Sequence, residues 1–159
     1  MTVYHGTTDT ITMPDVSYSK LYLDFGPGFY VTTYQKQAEK WALRKSLRSN
    51  KPAIVNLYEM SQDFEGLQVL RFDADDEDWL DFVCSCRKGE MLHNRYDLII
   101  GNVANDDVFK TVDMYFRGLW DKEKALEEIR YYKLNDQLCF GTQRAIEKLL
   151  TYKDSYVVR

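Results

Sequence analysis

The chain has 159 residues, of which 45% are apolar and 29% charged, and its net charge is −4. That length suits one domain over 1–159, large enough to bury a core and too short for two ordinary domains. The acidic balance argues against non-specific attraction to nucleic acid or to an anionic membrane, and no run nears the roughly 20 apolar residues that cross a bilayer.

In chain order, Thr2–Thr7 is short, β-branched and aromatic and predicts a strand, with Gly6 near its end. Residues 8–27 form a long connection with Pro14, Gly26 and Pro27 and little helical period, the kind of segment that serves as a functional loop. Phe29–Thr33 predicts a strand entered through a Gly26-Pro27-Gly28 turn. Residues 35–48 switch to a helix with Ala38, Trp41, Ala42 and Ser46 near one stripe and cations toward the end, where they suit the helix dipole. Strands follow at Ala53–Glu59 and Leu67–Phe72. An acid-rich start at Asp73–Asp78 opens a helix that closes on Arg87, Lys88 and Gly89. Asp97–Gly101 is a buried-type strand, 106–117 and 121–132 are helices parted by Gly118, and Gln137–Phe140 is a strand. Thr142 caps a helix to Leu150, and Tyr156–Val158 is a last strand. The string is that of a mixed α+β domain without internal repeats.

Several chemistries fail on spacing. Only His5 and His93 are present, and Cys84-x-Cys86 lies in a predicted helix, where positions two apart point about 200° apart. No metal is expected, and the two cysteines read as half-buried helix residues. Three cysteines, with Cys139, do not suggest a disulfide framework. With an N-terminus that carries no basic and apolar leader, they predict a cytoplasmic protein. Gly26-Pro27-Gly28 precedes a strand and not a helix, so no phosphate loop forms, and there is no Gly-x-Ser-x-Gly elbow. The Asp73–Asp78 run reads as a solvated helix start rather than a cation site.

Two ordered motifs remain. Tyr4-His5-Gly6-Thr7 ends the first strand, and Asp24-Phe25-Gly26-Pro27-Gly28-Phe29-Tyr30-Val31-Thr32-Thr33 leads into a helix carrying Ala38 and, eleven residues after Tyr30, Trp41. In this order and at this separation they resemble the ADP-ribosyltransferases of the diphtheria-toxin and poly-ADP-ribose-polymerase class. Pro14-Asp15, Tyr18-Ser19, Tyr96-Asp97-Leu98-Ile99-Ile100-Gly101 and Asn135-Asp136-Gln137-Leu138-x-Phe140 look similar to a family of small bacterial proteins of the same clan.

The resemblance implies split mixed β-sheets with flanking helices around an NAD cleft. It implies that His5, Gly6, Thr7, Tyr30 and Trp41 contact NAD as a co-substrate, Tyr30 and Trp41 by sandwiching the nicotinamide and Gly6 through its backbone. His5 would hold a ribose hydroxyl on the adenosine side. The implied catalytic set is His5, Tyr30 and a third residue that opens a late strand. Gln137 and Asp136 both align there, but they point to opposite faces of a strand, so only one reaches the cleft. Gln137 is preferred, and an amide cannot act as a general base. Transfer of one ADP-ribose unit to a protein or nucleic-acid acceptor is expected, as in a toxin or effector with a small neutralising partner. The alternative is a silent relative that binds NAD or a protein through the same cleft. Lys20, Arg44 and Arg48 are candidates for the pyrophosphate. Residues 121–132 pack on the core rather than offering a partner face.

Overall fold

The β-branched and aromatic run Thr2–Thr7 forms β1, and Phe29–Val31 forms β2 after the long connection. The computed structural model describes residues 1–18, 23–73, 77–91, 95–103, 106–129 and 135–159. Expectations touching Ser19, Lys20, Ala74–Asp76, His93 and residues 130–132 therefore lie outside the described residues. The remaining elements are α1 (Gln35–Ser49), β3 (Ile54–Met60), β4 (Val69–Arg71), α2 (Glu77–Arg87), β5 (Leu98–Gly101), α3 (Asp106–Phe116), α4 (Lys122–Ile129), β6 (Gln137–Phe140), α5 (Gln143–Leu149) and β7 (Leu150–Val157). Thr142 caps α5, its hydroxyl accepting from the Ala145 N–H at 3.3 Å.

The strands make two sheets, an α+β arrangement. One is antiparallel in the order β1-β3-β7, and the other is mixed in the order β2-β6-β5-β4, with β4 and β5 parallel. Between them lies a core of Val3, Val31, Tyr58, Met60, Leu98, Leu138 and Phe140, closed by Ile146 and Leu149 of α5. The other face of the mixed sheet presents Ile99 and Cys139 to Trp79, Leu80 and Val83 of α2, with Val112 and Ala125 behind them. Helix α1 lies across the antiparallel sheet through Ala38 and Ala42, and a Cβ on Gly6 would sit 1.9 Å from the Ala38 carbonyl oxygen. Small residues on both sides let strand and helix touch backbone to backbone.

Two expectations are corrected. The last strand starts at Leu150, directly out of α5, and not at Tyr156. A register shift between Leu57 and Tyr58 pairs them with Asp154 and Tyr152, leaving Lys153 unpaired and breaking the period-two pattern that marks a strand. Cys84 and Cys86 are both buried and not half-buried, because α2 is covered on more than one face. Burial raises their thiol pKa values to about 11 and about 12. Helix α4 does pack inward through Ala125 and Ile129, and Lys122 ties it to Glu77 and Asp81 of α2. Among the described residues no helix is long and apolar enough to cross a membrane.

Candidate functional site

The two sheets meet where Tyr4 of β1 and Thr32 beyond β2 exchange N–H···O bonds of 2.8 and 2.9 Å. Continuing that antiparallel register would oppose Gly6 to Tyr30, yet there the strands part. Across the gap, His5 Nδ1 lies 2.5 Å from the Tyr30 carbonyl oxygen. A cleft of about 890 Å³ opens at this split, lined by His5, Thr7, Tyr30, Trp41, Lys45 and Gln137, with Asp24, Val103 and residues 9–13 and 15 around them. That volume suits a small-molecule site.

Hydrogen-bonding directions alternate along a strand, so Gly6 shares the edge on which Tyr4 bonds Thr32. Its N–H and C=O therefore point away from β3, toward the split. The carbonyl accepts from Lys45 Nζ at 3.0 Å and keeps a second lone pair. His5 Nδ1 faces a carbonyl, so it must donate, and Nε2 is left as an acceptor. The imidazole stacks on Phe29 at 4.4 Å between centroids. Burial first and the Lys45 charge second lower its pKa to about 3, against the raising effect of the Tyr30 carbonyl, so His5 is neutral near pH 7.

Tyr30 is fixed at its far end, where the hydroxyl donates to the Gly26 carbonyl and accepts from the Phe25 N–H at 3.1 Å. Gly26 turns the chain there with φ of 77°. Burial chiefly, with Cys139 and Asp24 adding, raises the phenol pKa well above its usual value, so the ring stays neutral. Trp41 reaches the cleft from α1, half-buried, so the two rings line it from different elements.

Gln137 occupies the cleft and Asp136 does not. Gln137 opens β6 and is 4% exposed; its Nε2 donates to Asp24 Oδ2 at 3.1 Å and to the Asn102 carbonyl at 3.3 Å. Both amide hydrogens are thereby used, and Oε1 has no partner among the described residues. Asp24 in turn accepts from Arg87 of α2, at 3.1 Å from Nε and 2.5 Å from Nη2. Asp136, the other candidate for the third position, is turned away. It accepts from Thr32 Oγ1 at 2.6 Å, from the Thr33 N–H at 2.8 Å and from the Thr33 hydroxyl, closing the junction between β2 and α1. The alternation of strand faces separates the two residues in this way.

Some residues at the site had no role assigned from sequence. Asp24 sits in a recognised motif, but nothing in that motif announces Arg87 as its partner. Lys45 is hidden among the cations of α1: Arg44 and Arg48, the expected phosphate contacts, are exposed and do not line the cleft, while Lys45 does. The wall formed by residues 9–15 is pinned from below. Asn56 accepts from the Ile11 N–H at 2.9 Å and donates to the Asp9 carbonyl at 3.0 Å, Tyr58 donates to the Ile11 carbonyl at 2.6 Å, and Gln143 donates to the Pro14 carbonyl at 3.0 Å. Among the described residues no group of three His, Cys, Asp or Glu side chains is arranged to hold a metal ion.

A family model described as "Protein of unknown function (DUF3990)" matches residues 1–152, and the chain belongs to that family. No curated protein matches the chain.

Proposed function

We propose that this protein is an NAD-dependent mono-ADP-ribosyltransferase, which transfers ADP-ribose from NAD to a macromolecular acceptor. One observation carries the reading. A single cleft at the strand split gathers a neutral His5, the Tyr30 and Trp41 rings and Gln137, whose Oε1 has no partner among the described residues, with the Gly6 backbone beside His5 on the strand edge that faces the split. The same residue types in the same order define the resemblance read from the sequence.

In this reading Tyr30 and Trp41 flank the nicotinamide ring, and Gly6 N–H and C=O pair with its carboxamide. His5 Nε2 accepts from the adenosine-side ribose, and Lys45 supplies positive charge for the pyrophosphate. Gln137 Oε1 accepts from a hydroxyl of the nicotinamide-side ribose. As the bond between C1′ and the pyridinium nitrogen breaks, its electron pair leaves with nicotinamide, and positive charge develops on the ribose. An acceptor fixed beforehand opposes that charge without reorganising. The incoming nucleophile bonds C1′ and releases its proton to solvent or to a base on the acceptor, since Gln137 cannot take it. Chain elongation is not expected.

The amide at 137 favours a second reading, a silent NAD-binding or protein-binding relative, because the site lacks an acid–base group at that position. Free nicotinamide, measured after incubating the protein with NAD and cell lysate, separates the two. Release well above a Trp41→Ala control supports transfer; NAD binding with no release supports the silent relative.

A further inference from the structure

Asp24 has no part in the function just described, although its side chain lines the cleft, is only 12% exposed, and is paired with an Arg87 that is 17% exposed. A carboxylate held this far from water is costly unless it is paired and hydrogen-bonded, and Arg87 and the Gln137 amide together meet that condition. It stands next to Gln137, whose Oε1 has no partner among the described residues, and this gives it a function beyond packing.

We propose that Asp24 is a positioning residue for Gln137, holding the amide so that Oε1 faces the cleft and strengthening that oxygen as an acceptor. This inference rests on the function proposed above. A glutamine side chain has two ends of similar shape and opposite hydrogen-bonding character. A carboxylate can only accept, so Asp24 selects the NH₂ end, and the Asn102 carbonyl makes the same selection. Two acceptors on two hydrogens leave one orientation, with the carbonyl toward the ligand. Donation to a full negative charge also shifts electron density across the amide toward Oε1, as in other polarised hydrogen-bond chains. Arg87, anchored in α2, keeps the carboxylate in register with β6.

The arrangement carries the negative charge one side chain behind the position that meets the ribose. Glutamate at 137 would therefore set a second carboxylate at the 3.1 Å contact with Asp24. Two carboxylates that close do not both ionise comfortably, so Gln137→Glu alone is harmful here despite adding an acid. Asparagine at 24 relieves that conflict, because its NH₂ can donate to the new glutamate.

The test compares wild type, Asp24→Asn, Gln137→Glu and the Gln137→Glu/Asp24→Asn double variant by melting temperature, NAD titration and nicotinamide release. Asp24→Asn removes the full negative charge and leaves the Asn102 carbonyl alone to select the NH₂ end, so release is expected to fall about tenfold while NAD affinity moves less than about threefold, since the contact strengthens as charge develops. Gln137→Glu is expected to melt lower and release less than Asp24→Asn. The double variant is expected to recover melting temperature and at least about tenfold in release over Gln137→Glu, a coupling that independent structural losses would not produce. Should Asp24→Asn alone not fold, Gln137→Glu against the double variant carries the comparison, and a double variant that also fails to fold overturns the inference. Unchanged release in Asp24→Asn, or a double variant no better than Gln137→Glu, overturns it while leaving the function intact. A wild type that releases no nicotinamide overturns the proposed function, and this inference with it.

Discussion

Two carboxylates, the buried Asp97 and the partly buried Asp24, are each paired with an arginine, yet their hydrogen-bond networks end differently. Asp97, before β5, accepts from Thr142 Oγ1 at 2.8 Å, the Gln68 N–H at 2.8 Å and Arg144 at 2.9 Å. Its own N–H and C=O bond Gln68 and Gly141. That network closes on itself and joins the start of β5, the cap of α5 and the approach to β4. The Asp24 network runs from Arg87 through the carboxylate to Gln137 and stops at an oxygen with no protein partner among the described residues, inside a cleft. Buried polar groups are normally satisfied, so a closed network marks a fold element, whereas an open end facing a cavity marks a place for a ligand.

The largest expected effect breaks the closed network. Asp97→Ala leaves donors from three segments unpaired and is expected to cost about 3 kcal/mol of stability, read by denaturant melting, with nicotinamide release per folded molecule unchanged. Acidification acts the same way. Burial opposes ionisation of Asp97, but bonds from Gln68, Thr142 and Arg144 outweigh it and lower its pKa. Its stabilisation is therefore complete above the unfolded carboxylate value and lost as pH falls through the lower folded one.

Breaking the open network should do the reverse. Gln137→Leu keeps the volume and removes the acceptor, so nicotinamide release should fall by about 100-fold, while loss of the bonds to Asp24 and the Asn102 carbonyl should lower stability by only about 1 kcal/mol. Asp136→Ala, next in the chain but on the other face, should lower stability by about 1–2 kcal/mol through loss of the Thr32 and Thr33 contacts. It should leave release nearly unchanged, which sharpens the contrast between neighbouring residues.

The smallest effect is a pH signature of His5. Its folded pKa of about 3 lies below the unfolded value of 6.5, so the unfolded chain binds the extra proton between them. His5 thus lowers stability progressively as pH falls from 6.5 toward 3. His5→Gln, which stays neutral, should flatten that part of the stability profile, and the wild-type activity profile should show no His5 inflection near neutral pH.

The elements that build the cleft were legible because their signals are local. Thr2–Thr7 and Gln137–Phe140 are short apolar runs with clear ends, and the helix after Tyr34 stops at Asn50, which takes the left-handed conformation. What stayed hidden depends on contacts distant in sequence. The bulge opposite Leu57 and Tyr58 disguised β7, and Asp24 finds Arg87 across the gap between a loop and α2. Strand alternation showed that Asp136 and Gln137 face opposite ways, but only the Thr32 and Thr33 hydroxyls decide which one turns from the cleft. Lys45 differs from Arg44 only in its angle around α1, a distinction that depends on knowing which side of the helix meets Gly6.

Calorimetric titration of NAD into the purified chain tests the central claim most directly. Binding at one site per chain, lost in a His5→Ala/Gln137→Ala double variant that still melts cooperatively, is the expected result. No heat of binding and no rise in melting temperature at a large excess of NAD would contradict the assignment of this cleft.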